Sequence, residues 1–133
     1  MSALKPFALA ACMSVAASAA NAQAPLTEHN VSMGMAQAII AGTIEKCTND
    51  GYKVSVVIVD KAGQIAASLR GDGTNPHTME FAKMKAYTSR TRGQTSLEFQ
   101  QATSTPEGAL LRQIPGVVAI GGGVGRRPRD RDR

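Results

Sequence analysis

From Ser32 onward the apolar positions Met35, Ala36, Ile39, Ile40, Thr43, Ile44 and Cys47 recur at intervals of three and four. That is the period of a helix burying one face, with Ser32 as its N-cap and Asn49-Asp50-Gly51 as its stop. The pattern then changes. Val54 to Asp60 is β-branched and apolar enough for a central strand, Lys61-Ala62-Gly63 is a tight turn, and Gln64 to Arg70 alternates Ile, Ala and Leu on one face. Together they predict an antiparallel hairpin. Gly71 to Pro76 has loop composition. A second helix is predicted from about His77 to Thr91, with Met79, Ala82, Ala86 and Arg90 on one stripe. A short helix from Gln94 to Ala102, begun by Thr95 or Ser96, and a turn or two from Glu107 to Gln113, stopped by Pro115-Gly116, complete the helical part. Val117 to Ile120 reads as a short strand running into Gly121 to Gly125. The order of elements predicts one small α+β domain.

The first residues follow a different logic. After Met1-Ser-Ala-Leu-Lys5 comes an uncharged stretch from Pro6 to Ala20, then Asn21-Ala22-Gln23-Ala24. A basic head, an apolar run and alternating small residues predict a secretory signal over 1–22, cut after Ala22, and hence a periplasmic or secreted protein. The run is too short and too rich in alanine for a membrane anchor. Cys12 leaves with that segment, so Cys47 becomes the single mature cysteine and no intrachain disulfide is expected. Its place on the apolar side of the first helix predicts a buried thiol.

Charge changes the picture only once it is localised. The 133 residues carry a formal +5, but removing Lys5 leaves +4 and the last eight residues, Arg126 to Arg133, hold five Arg and two Asp. The remaining body carries +1, which offers no footprint for a phosphate backbone, and no nucleic-acid partner is expected. The 126–133 tail has neither apolar residues nor periodicity and is expected to be disordered.

Candidate chemistry concentrates on the second helix. His77 and Glu80 lie three apart at its N-terminal end and face the same way, where free N–H groups favour an anionic partner. Imidazole with carboxylate can hold iron or receive a porphyrin; the plainer reading is a solvated first turn. Lys85 can pair with a ligand carboxylate and Tyr87 can stack on or ligate a metal, although both also read as ordinary helix residues. His29 falls in the N-terminal segment and reads as incidental. The glycines from 121 to 125 lack the following helix and the Lys-Ser/Thr of a nucleotide loop, and instead let the chain turn tightly or pass close to another backbone or a ligand. No Ser/His/Asp or Cys/His set, HExxH motif or cysteine cluster appears, so binding is favoured over turnover.

Val54-Ser-Val-Val-Ile-Val-Asp60, Ala62-Gly63, Leu69-Arg-Gly-Asp-Gly73, Glu80 with Lys85-Ala-Tyr-Thr88, Ile114-Pro-Gly116 and Gly121-Gly-Gly-Val124 resemble, in order and spacing, the GlcG/HbpS-like proteins. The resemblance spans about Leu26 to Val124 and marks 26–125 as the domain. It implies an α+β fold, an antiparallel β-sheet packed against helices, and assembly into homo-oligomers. It also implies haem or iron binding in haem handling or redox sensing, with a sensor or membrane-protein partner. With no Cys-x-x-Cys-His, such haem is non-covalent. By the same resemblance Glu80 falls on a helix glutamate implicated in iron binding, His77 lies where relatives often carry a polar residue, and Lys85 and Tyr87 fall on the Lys-Ala-aromatic-Thr motif. His77 and Glu80 are then the expected metal contacts, with His77, Glu80, Lys85 and Tyr87 lining the cofactor. The sequence departs from the family at Gly125, where a proline is usual, and the domain is expected to lack the usual last strand region. Two alternatives remain at this point: an enzyme or enzyme accessory for a small hydroxy acid such as glycolate, and a cofactor-free structural or partner-binding protein.

Overall fold

The structure is a computed structural model that describes residues 25–125. The expected signal segment 1–22 and the tail 126–133 lie outside the described residues. Ser32, extended, accepts the Met35 N–H at 3.2 Å and opens helix α1, Met33–Asn49, and the chain leaves that helix through Gly51 at φ 83°. Strand β1, Ser55–Val59, pairs antiparallel with β2, Ile65–Arg70. The register runs from Ser55 opposite Arg70 to Ile58 opposite Ala67, then slips so that Val59 faces Ile65. Ala66 is therefore an extra residue on β2, a bulge that leaves β1 regular.

Helix α2, Thr78–Arg92, packs chiefly on β1 and ends at left-handed Gly93. Helix α3, Ser96–Ala102, leans on α2 and carries a capping box, in which the Thr95 hydroxyl accepts the Glu98 N–H and the Glu98 carboxylate accepts the Thr95 N–H. Helix α4, Pro106–Ala109, passes into a 3-10 turn over Leu110–Gln113. This is the expected α+β architecture of a small antiparallel sheet against helices.

Three expectations need correction. The first concerns the α1 stripe, of which Ala36 and Ile40 are buried while Met35 and Ile39 stay exposed, because a two-stranded hairpin is narrower than the face the sequence offers it. The second is the central position read for Val54 to Asp60: among the described residues β1 pairs with β2 alone. The third is the strand read at Val117 to Ile120, which is not in a sheet. Its backbone groups are served by helix side chains instead. Val118 N–H donates to Thr88 Oγ1 at 2.8 Å, Gly121 N–H to Gln100 Oε1 at 3.1 Å and Gly123 N–H to Ser96 Oγ at 2.8 Å, while Ser96 N–H donates to the Gly123 carbonyl at 3.0 Å. An apolar run bounded by glycines cannot say what supplies its hydrogen bonds.

Candidate functional site

The first turn of α2 sets the candidate site. His77 stands at the N-cap position with helical backbone angles, and no side chain caps the helix there. Its exposed ring meets Phe81 edge-on, with centroids 5.4 Å apart and planes at 84°. That contact holds the imidazole by its carbon framework. No described residue forms a hydrogen bond with the ring nitrogens, so they are free to meet a ligand. Glu80 is exposed in the same turn, with Lys83 Nζ 3.9 Å from its carboxylate, a loose pair that leaves most of the oxygen surface open. Imidazole nitrogen and carboxylate oxygen are both donors that iron accepts, and the N-terminal end of α2 adds its own positive potential toward an acidic group. An exposed imidazole and an exposed carboxylate thus share the first turn of α2.

Lys85 and Tyr87 are placed elsewhere. Ten residues of helix carry Tyr87 about 15 Å along the axis from His77. Its ring is gripped by two left-handed glycines: a Cβ at Gly63 would come within 2.9 Å of it and one at Gly116 within 3.3 Å. The two edges of the Tyr87 ring are therefore flanked by the hairpin turn on one side and the start of the last segment on the other. A cleft of about 150 Å³ beside it is lined by Lys61, Ala62, Gly63, Tyr87, Arg90 and Thr91. The Lys85 ammonium runs past Gly122, 3.3 Å from where a Cβ would stand. His77 stands at the N-cap of α2 and Glu80 lies in its first turn, whereas Lys85 and Tyr87 lie further along the same helix.

The glycine segment explains itself on the far side of α2. A Cβ at Gly123 would collide with the Lys85 carbonyl and lie 2.7 Å from Ser89 Oγ. Only glycine lets this backbone lie on the helix, so the close approach expected at Gly121 to Gly125 is to α2 and not to a phosphate. The sequence reading missed Thr88, Ser89 and Ser96, all at most 1% exposed. Their hydroxyls look like surface polarity in a stripe analysis; the detectable signal was small polar residues facing a glycine run. An open apolar groove of about 450 Å³ between α1 and β2, lined by residues including Met33, Ile40, Ala67 and Leu69, carries none of the expected site residues. Among the described residues no three His, Cys, Asp or Glu side chains cluster as a metal site, and no helix is long and apolar enough to cross a membrane.

The family described as "Haem degrading protein HbpS-like" matches residues 31–125. The double Glu→Asp variant of HbpS from Streptomyces reticuli is 25% identical with a TM-score of 0.73, over 94% of this chain and 77% of that one. HbpS in a second structure is 27% identical with a TM-score of 0.74, over 81% and 74% of the two chains. PduOC in its haem complex, 21% identical with a TM-score of 0.62 over 69% of each chain, shares the fold. No curated protein sequence matches the chain significantly.

Proposed function

The chain belongs to the HbpS-like family, and on that premise we propose that it binds haem non-covalently, with His77 as the iron contact and Glu80 beside it. The observation that carries this reading is the state of His77, an imidazole steadied against Phe81 with both nitrogens uncommitted, one turn from a weakly paired carboxylate. Bound haem would supply redox-active iron; the protein would supply an imidazole, a carboxylate and the positive end of α2. Lys85 and Tyr87 do not take part in this proposal, since both are engaged in packing the last segment. We assign binding rather than turnover, because one imidazole and one carboxylate make a contact point and not an acid, base and nucleophile set. The expected signal places this activity in the periplasm or outside the cell, where an exchangeable haem carrier or sensor has a role.

The test is titration of the chain with haemin, followed by absorbance, and with ferric iron alone in parallel. A saturable Soret band that is lost in the His77→Ala, Glu80→Ala double variant is the expected result. Unchanged haem binding in that variant overturns the site. No band with haemin overturns the function, and saturation by iron alone with no haemin band moves the ligand to the bare metal.

A further inference from the structure

Four arginines lie among the described residues, and three of them have their guanidinium engaged. Arg70 donates to Thr74 Oγ1 at 3.2 Å and to the Thr74 carbonyl at 3.0 Å. Arg112 donates to Thr103 Oγ1 at 3.0 Å and to the Gln100 carbonyl at 3.4 Å, and Arg92 lies over the Phe99 ring. Arg90 has no hydrogen bond, ion pair or ring contact among the described residues. It is exposed, against the expectation that it joins the stripe of α2. Tyr87, Arg90 and Thr91 stand at i, i+3 and i+4 and share one face of that helix. Gly63 brings the hairpin turn against the same face, since a Cβ there would lie 2.9 Å from the Tyr87 ring. The cleft of about 150 Å³ opens where turn and helix meet, with Lys61, Ala62 and Gly63 on the one part and Tyr87, Arg90 and Thr91 on the other.

We propose that this cleft binds a small oxyanion, a carboxylate or phosphate group, held by Arg90 and Lys61. Its lining carries two cations and no acidic residue, and an anion between them offsets the repulsion of like charges set around one small space. Lys61 is only loosely paired, with its ammonium 3.7 Å from the Glu28 carboxylate and both side chains about half exposed. The Arg90 guanidinium offers a planar fork that meets two oxygens of a carboxylate or phosphate at once. Tyr87 and Thr91 add hydroxyls that form no hydrogen bond among the described residues, so both can donate to the remaining oxygens. The volume equals the liquid share of about five waters, room for an acid group on a short body and far too little for a porphyrin. Arg90 stands thirteen residues beyond His77, about 20 Å along the helix axis. The cleft is therefore separate from the first turn of α2, and its ligand does not depend on whether haem binds.

The experiment is calorimetric titration of the purified chain with inorganic phosphate and with acetate at constant ionic strength, with sodium chloride as the control. Amide chemical shifts are followed by nuclear magnetic resonance on the same samples, all free of haemin, so the outcome is independent of the haem reading. Saturable binding of at least one of the two oxyanions is expected, with shifts centred on residues 61–63 and 87–91. Saturation by phosphate alone names a phosphoryl ligand, by acetate alone a carboxylate, and by both the oxyanion chemistry they share. Arg90→Gln, which removes the fork and breaks no bond among the described residues, should weaken binding at least about tenfold, and Lys61→Gln should weaken it too. No saturation with either oxyanion, binding that chloride matches, an affinity unchanged in either variant, or shifts centred elsewhere overturns the proposal. The shift map on the unaltered chain decides it even if a variant fails to fold.

Discussion

The two halves of the protein are held by different means. On the hairpin side, the buried apolar residues are few, Ala36, Ile40 and Val57, while Met35 and Ile65 stay exposed and Met33 and Leu69 stay exposed beside an open groove. On the α2–α3 side, Phe99 is fully buried, Thr88, Ser89, Ser96 and Thr103 are buried as well, and the last segment is fastened by hydroxyl-to-backbone bonds. The guanidinium of Arg92 lies 5.6 Å from the centre of the Phe99 ring and covers it. The contrast teaches where specificity comes from: apolar contacts do not fix a register by themselves, whereas the hydroxyls of Thr88 and Ser96 each accept a particular backbone N–H, those of Val118 and Gly123.

The sharpest way to break the contrast is to remove its largest anchor. Phe99→Ala should lose about 4 kcal/mol in denaturant unfolding, well above the loss for Val57→Ala, a smaller side chain in the looser half; equal losses would mean both halves are packed alike. Gly123→Ala comes next, at about 2 kcal/mol, since a methyl group there meets the Lys85 carbonyl, which cannot yield without disturbing α2. The third effect is smaller and is a pair. Thr88→Val keeps shape but strips the Val118 N–H of its acceptor and should cost roughly 1–2 kcal/mol. Ser89→Ala should be near neutral or mildly stabilising, because the Ser89 hydroxyl is buried with no hydrogen-bond partner. A Ser89→Ala variant as damaged as Thr88→Val would show that this hydroxyl has a partner.

The hairpin half was the more legible in sequence. Periodicity and turn chemistry placed α1, its Ser32 cap, the Gly63 turn and both strands within a residue or two, because these features are local. The other half was misread where its bonds are long-range: Thr88 meets Val118 across thirty residues and Ser96 meets Gly123 across 27, and no window of sequence contains both partners. Hence Val117 to Ile120 passed for a strand, and Arg90 was placed on the α2 stripe when Thr88 and Ser89 are the buried residues. The candidate site divides the same way. The shared turn of His77 and Glu80 follows from helix spacing, whereas the packing around Lys85 and Tyr87 depends on glycines in distant segments.

The grip of Gly63 and Gly116 on Tyr87 also gives the molecule a built-in optical reporter. The chain has no Trp and two Tyr, and Tyr52 lies open to solvent. Tyr87 is thus the tyrosine whose ring is fixed in an asymmetric setting, and its near-ultraviolet circular dichroism will fade when the hairpin turn and the Gly116 segment part, ahead of any loss of helix in the far ultraviolet.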